Sequence, residues 1–203
     1  IVLESGLVTD GDLASATLAV GDVMYDFTVN TPDGTEIKLS EVLKTKKAVL
    51  LNFWYTTCSW CLEEFPIMNE VYAEYKDDIE IIAIDPLDDN NAVKAFQAQH
   101  GLDFPMASCP SSWANTFSVT GYPTSVIIDR YGTICVIEAG AITSKRPFVS
   151  AFEHLIAEDY EQKICYNGIS DLVDRIKPNK TMPESDEIAE AINKGEIEIT
   201  YRP

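Results

Sequence analysis

An α/β fold with a mixed central sheet flanked by helices is predicted by three observations. Residues 48–54 and 79–84 form continuous apolar runs, the pattern of strands covered on both faces. Each run is followed by a stretch that reads as a helix, with apolar residues three and four apart clearest in the first. Residues 124–129 and 133–137 read as two further strands joined at Arg130-Tyr131-Gly132, with a last amphipathic helix behind them. The order βαβ…ββα implies a sheet with both parallel and antiparallel neighbours.

The elements follow in order. Residues 1–20 are acidic, rich in small residues and weakly patterned, and read as an N-terminal arm or linker. Residues 27–39 read as a β-hairpin, with Asp33-Gly34 as the turn and Phe27/Val29 and Ile37/Leu39 alternating on either side. Ser40 is placed to cap a short helix at 41–44. After the strand at 48–54, a helix starts near Ser59 and runs to about Tyr75. Its apolar residues Leu62, Phe65, Met68, Val71, Tyr72 and Tyr75 repeat at three and four. Pro66 lies inside this helix and, having no N–H to give, predicts a kink. A helix at 90–100 ends at Gly101, and a short one at 111–117 follows Cys109-Pro110. The last helix, 146–160, turns Phe148, Phe152, Leu155 and Ile156 inward. One domain is expected over 21–165. The extension 166–203 carries helical stretches at 169–176 and 187–194, with Pro178 and Pro183 between them, and a strand-like alternation at 196–201. It reads as a tail packed on the domain or as the start of a further region.

Composition excludes several function classes. The 203 residues hold 33 acidic against 15 basic side chains, a net charge of −18, which repels phosphate backbones and anionic membranes. Nucleic acid is therefore not expected as a partner. The acidity serves solubility, or a preference for basic partner proteins. With 46% hydrophobic residues the chain can build a core, yet it has no apolar run of about eighteen residues to span a membrane. The chain opens without Met and without a basic-then-apolar leader. It reads as a mature form or a cut piece whose signal or lipid anchor lies outside it. The five cysteines, 58, 61, 109, 135 and 165, show no paired metal-ligand spacing, and neither His100 nor His154 is near one in sequence. A structural zinc needs about four convergent ligands, so no metal is expected.

The chemistry concentrates in Cys58-Ser59-Trp60-Cys61, at the junction of strand and helix. Thiolate, not thiol, attacks a disulfide, and the partial positive charge of a helix N-terminus lowers a cysteine pKa from its free value of about 8.5. Cys58 sits at that end and is expected to be the exposed nucleophile. Cys61, one turn inside, is expected to be shielded and to resolve the mixed disulfide. The loop between them is too short to stabilise the fold much. No cofactor is expected beyond a redox-active Cys58–Cys61 disulfide.

Several stretches together carry a family resemblance. They are Asp26-Phe-Thr-Val, Asp33-Gly, Leu39-Ser, Val49-Leu-Leu-Asn-Phe-Trp54, Cys58-Ser-Trp-Cys-Leu-Glu-Glu-Phe-Pro66, Gly121-Tyr-Pro-Thr124 and Ile128-Asp129-Arg. Over residues 22–160 the chain resembles the TlpA/ResA-like branch of the thioredoxin superfamily. The resemblance implies a thioredoxin-like fold with an N-terminal β-hairpin, an extracytoplasmic location, secreted, periplasmic or surface-anchored, and disulfide exchange with proteins there. It implies protein dithiol or disulfide substrates and an upstream electron donor, with membrane contact only through an anchor outside the chain. A monomer is expected.

Site residues follow from the same match. Pro123 corresponds to the family's cis-proline, with a trans proline starting an edge strand as the alternative, and Tyr122 before it would offer main-chain groups to a substrate segment. Glu64, three residues after Cys61, matches the acid of the Glu-X-Pro element, where a half-buried carboxylate can shuttle the proton of Cys61. The alternative for Glu64 is a solvated helix carboxylate beside Glu63. Asn52 stands where thioredoxins proper carry a buried acid. It cannot accept a proton, so the proton-handling role shifts to Glu64; alternatively it satisfies buried backbone groups. Trp54 resembles an active-site aromatic, or else packs in the core. Trp60 adds exposed aromatic area for docking. Thr57 replaces the usual Trp before the first cysteine, and the intervening pair is Ser-Trp rather than a pair with proline, which leaves the direction of electron flow open.

Cys135 reads as a buried thiol. One pair among Cys109, Cys135 and Cys165 could form a structural disulfide, and a resolving role for Cys109 is open. Three other classes compete. A peroxiredoxin-like peroxidase wants a proline-containing run before its cysteine and an activating Arg, and residues 52–57 have neither. A copper chaperone wants a Cys-X-X-X-Cys pair and a loop histidine. A binding module of a larger surface protein that keeps a redox-capable site is left as the third.

Overall fold

The computed structural model describes residues 18–161 together with 168, 169 and 172. Residues 1–17 of the expected arm, Cys165 and the elements expected from residue 173 onward lie outside the described residues. Leu18, read from sequence as part of the arm, is buried, and its N–H donates to the Thr116 carbonyl at 2.7 Å.

The hairpin forms as expected. β1 (Thr28–Asn30) pairs antiparallel with β2 (Glu36–Lys38), with Val29 opposite Ile37. The short helix α1 (Leu39–Val42) begins two residues earlier than predicted, and Ser40 does not cap it. Asp26 takes that role from a distance: its carboxylate accepts the Ser40 N–H at 2.9 Å and the Ser40 hydroxyl at 2.8 Å. A carboxylate meeting first-turn N–H groups is the interaction a cap provides, and the sequence places it fourteen residues away.

The main sheet has five strands in the order β5-β4-β3-β6-β7. β3 (Ala48–Phe53) is central and wholly buried, parallel to β4 (Ile79–Asp85) and antiparallel to β6 (Thr124–Asp129). β7 (Ile134–Ala139) extends the antiparallel side, and β5 (Met106–Ser108) extends the parallel side. β5 escaped prediction because three residues behind Pro105 carry no readable alternation.

Alternation along β3 divides the core. Ala48 and Leu50 face a cluster filled by Phe65, Met68 and Val71 of α2 (Ser59–Tyr75), Val93 and Phe96 of α3 (Asn90–His100), and Phe148, Phe152 and Leu155 of α5 (Lys145–Ile156). Val49, Leu51 and Phe53 face the other cluster, filled by Phe27, Leu39, and Trp113 of α4 (Ser112–Thr116). Both faces are therefore covered, as a continuous apolar strand requires. α2 runs unbroken through Pro66. α3 is capped at one end by Asp89, whose carboxylate accepts the Asn91 and Ala92 N–H groups, both at 2.9 Å. Its other end is closed by Gly101, whose φ of 61° is the left-handed value that ends helices.

α5 ends at Ile156, earlier than the predicted residue 160, and Ile156 is only partly buried. The chain leaves the helix so that Tyr160 can donate to Asp129 at 2.8 Å, while Arg130 donates to the Leu155 and Ala157 carbonyls, both at 2.7 Å. Ile169 and Leu172 of the expected extension belong to the same core cluster as α2 and α5. The Ile169 N–H donates to Glu138 at 3.1 Å.

Candidate active site

The C-terminal end of β3 delivers the chain to Cys58, which is the N-cap residue of α2. Its sulfur accepts the Cys61 N–H at 3.2 Å, and its own N–H donates to the Tyr55 carbonyl at 3.1 Å. Cys58 and Cys61 are disulfide-bonded, with sulfurs 2.04 Å apart. Cys61 is fully buried, as predicted. Cys58 is not the exposed residue expected: it is 3% exposed. Its sulfur is tied to that of buried Cys61, and the apolar cluster that holds both has Tyr55 and Tyr122 packed against it.

Glu64 is fully buried, which rules out a solvated carboxylate. Its Oε2 accepts from Asn52 Nδ2 at 3.0 Å, and its Oε1 accepts the Ile142 N–H at 2.9 Å. Burial pushes its carboxyl up to about 7, against the opposing pull of those two bonds. Asn52 also reaches Ser125 Oγ at 3.1 Å, its partner across β3 and β6, while Asn52 Oδ1 is buried without a partner. Asn52 thus bonds side chains rather than backbone, and one of them is Glu64.

The aromatic candidates separate. Trp54 is fully buried, its ring 5.2 Å from Phe65 and 4.5 Å from Phe96, so it packs in the core. Trp60 is 59% exposed beside the disulfide. Tyr122 is partly buried, its ring edge-on to Tyr55 at 5.2 Å. The Tyr122–Pro123 peptide is cis, and the Pro123 carbonyl accepts the Gly140 N–H at 2.8 Å.

Cys109 and Cys135 are both free, so they are not paired with each other; Cys165 lies outside the described residues. Burial pushes both thiols up, Cys135 to about 12 and Cys109 further. Cys135 is the buried thiol expected. Cys109 is a poor source of thiolate, which argues against a resolving role.

Sequence reasoning missed a group at the end of β4. Asp85 is fully buried, and its Oδ1 accepts the N–H groups of Leu87 at 2.8 Å and Asp88 at 2.9 Å. Asp88 in turn accepts from the N–H of Thr56 at 2.9 Å and its hydroxyl at 2.7 Å, two residues before Cys58. The signal was available: an acid closing a buried strand, followed by Pro86-Leu87-Asp88, at the C-terminal sheet edge where α/β folds place their sites. Ile142 carried no such signal, since it contributes through its backbone.

The model of the AhpC/TSA family matches residues 20–137. The thiol-disulfide oxidoreductase ResA of Bacillus thuringiensis (strain Al Hakam) is 39% identical over 119 residues, covering 58% of this chain and 68% of that protein. ResA of Halalkalibacterium halodurans is 31% identical over 154 residues, covering 75% and 83%. Among solved structures, a Chlorobium tepidum protein assigned as thiol:disulfide interchange protein DsbE superposes with a TM-score of 0.62 at 29% identity, covering 70% of this chain and all of that one. A second, a thioredoxin family thiol:disulfide interchange protein from Chlorobium tepidum TLS, gives 0.58 at 25% identity, again covering 70% and 100%. The five-stranded mixed sheet with helices on both faces is the thioredoxin-like fold.

Proposed function

We propose, from the premise that this chain belongs to the AhpC/TSA family and is a ResA/TlpA-like thiol–disulfide oxidoreductase of the thioredoxin superfamily, that it exchanges disulfides with extracytoplasmic proteins through Cys58 and Cys61. The observation that carries the residue assignment is the helix N–H of Cys61 directed at Cys58 Sγ. A donor at that position favours negative charge on sulfur.

Written in the reducing direction, the exchange runs in two steps, and the same steps reversed oxidise a substrate dithiol. The Cys58 thiolate attacks one sulfur of a substrate disulfide; that S–S bond breaks, a mixed disulfide forms, and the other substrate sulfur leaves as thiolate. Cys61 then gives its proton to Glu64 and attacks Cys58 Sγ. The Cys58–Cys61 bond forms, the second substrate sulfur leaves, and the substrate has gained two electrons. Protons from Glu64 and solvent complete its thiols, and an upstream dithiol donor regenerates the pair. A carboxyl held near neutrality is suited to both halves of that proton transfer.

The surroundings support the same reading. Trp60 offers a docking surface beside the disulfide, and Tyr122 offers its main chain to an extended substrate segment. In this reading the chain acts as a monomer and without a bound cofactor, and it works outside the cytoplasm, the location that the family resemblance implies. Among the described residues no helix is long and apolar enough to cross a membrane.

The midpoint potential of the Cys58/Cys61 couple, measured beside insulin reduction and peroxide consumption, tests the proposal. A titratable dithiol couple with insulin turnover and no peroxide consumption is expected. Peroxide turnover, or the absence of a couple, would overturn it.

A further inference from the structure

We propose that Asp85 is a positioning residue for the attacking cysteine: as a neutral acid it donates from Oδ2 to Asp88, and Asp88 holds Thr56 and with it the segment leading into Cys58. This rests on Cys58 being the attacking thiol.

Three observations on geometry lead there. Asp85 is fully buried, and while Oδ1 accepts two backbone N–H groups, no donor among the described residues reaches Oδ2. A buried carboxylate oxygen without a donor is costly, and protonation turns it from an unsatisfied acceptor into a donor. Asp88 is held beside Asp85 by the bond from its N–H to Asp85 Oδ1 at 2.9 Å, and its carboxyl interacts with that of Asp85, which makes it the receiver for that proton. Asp88 then makes its two bonds to Thr56, and Cys58 follows two residues later.

The charges around Asp85 fit a shared proton. Among the described residues, the titratable groups that act on it are Asp88 from the loop after β4, Cys109 from the loop after β5, and Tyr122 from the loop before β6, and none of these brings a positive charge. Burial pushes Asp85 up to about 6, with a smaller contribution from Asp88. Asp88 is lowered, chiefly by the bonds from Thr56. Two neighbouring carboxyls driven apart in this way hold one proton between them below about pH 6 and release it above. When Asp85 ionises, the bond to Asp88 is lost and a second negative charge appears beside the Cys58 segment. Both changes disfavour the Cys58 thiolate.

The test is the pH dependence of Cys58 alkylation by iodoacetamide in the reduced full chain, read by mass spectrometry. Glu64→Gln serves as the parent, so that the Glu64 titration is absent. The parent is expected to show an inflection near pH 6 below the thiol titration itself. Adding Asp85→Asn, whose Nδ2 donates to Asp88 at every pH, is expected to remove that inflection, matching the parent at pH 5 and exceeding it about threefold at pH 7.5. Asp85→Ala, which cannot donate, is expected to be slower than Asp85→Asn throughout. The carboxyl NMR titration of Asp85 is a second readout, expected to move to lower pH in Asp88→Asn. An inflection that persists in Asp85→Asn, or an Asp85 titration indifferent to Asp88→Asn, would overturn the proposal. If Cys58 is not the attacking thiol, substrate trapping fails in Cys61→Ser while the Asp85 titration still responds to Asp88→Asn, so the two failures are distinguishable.

Discussion

Asn52 donates from Nδ2 to Glu64 Oε2 across 3.0 Å, joining the central strand to the helix that carries the disulfide. An amide here in place of an acid cannot take a proton, but it can hold the group that does. The bond stabilises the ionised form of Glu64 against the burial that opposes it.

Glu64→Gln keeps the size and the acceptor for Ile142 but removes the proton acceptor. Resolution of the mixed disulfide by Cys61 is expected to slow about a hundredfold. Stopped-flow thiol release across pH 5–9 checks this. The wild-type rate is expected to bend near 7, and the variant is expected to lose that bend.

The same substitution has a stability signature. A carboxyl that titrates at about 7 in the fold and 4.5 unfolded binds its proton more tightly when folded, so stability falls as pH rises between those values. The loss contributed by Glu64 is about 3 kcal/mol at most by pH 8. Asp85, raised from 3.8 to about 6, adds a loss of the same sign at lower pH. Urea unfolding of the oxidised protein at pH 5 and pH 8 is expected to show the drop, and Glu64→Gln is expected to reduce it, leaving the Asp85 share.

Asn52→Ala removes one donor from a buried carboxylate. A hydrogen bond to a charged group contributes about 1.5–3 kcal/mol, so the Glu64 titration is expected to rise by about one pH unit or more. Carboxyl NMR reads it directly. An unmoved titration would mean that the Ile142 N–H alone sets the ionised form.

The legible parts of this fold were those carried by period and by single-residue chemistry. The apolar run of β3, the three-and-four spacing of α2 and the Asp33-Gly34 turn placed the sheet, the active-site helix and the hairpin. What escaped were relationships made by tertiary contact. Asp26 caps α1 from fourteen residues away, Tyr160 leaves its helix for Asp129, and Cys58 is covered by residues that join it only when the sheet closes. Asn52 and Glu64 were each singled out in the sequence. Their bond was not, because it depends on strand register and helix rotation together.

Trp60 tests docking without touching the core. At 59% exposure its replacement by Ala is expected to change stability by no more than about 0.5 kcal/mol. Loss of an aromatic anchor is expected to raise KM for a protein disulfide about tenfold while leaving a small disulfide unaffected. Equal KM values for Trp60→Ala and the wild type on the protein substrate would remove Trp60 from the docking surface.

The start of the extension is expected to be part of the folded domain. Leu172 is fully buried, so Leu172→Ala should cost about 2–4 kcal/mol in urea unfolding. Gly168 has φ +90°, and a Cβ there would lie 2.5 Å from Glu138 Oε2, so Gly168→Ala is expected to destabilise as well. Neither is expected to change the potential of the disulfide.

Mixed-disulfide trapping is the most direct measurement of the central claim. Reduced Cys61→Ser and Cys58→Ser are each mixed with a disulfide-bonded protein, and the adducts are mapped by mass spectrometry. Cys61→Ser is expected to accumulate an adduct through Cys58, and Cys58→Ser none through Cys61. Adducts through Cys61 in Cys58→Ser, with none through Cys58 in Cys61→Ser, would contradict the assignment of Cys58 as the attacking thiol.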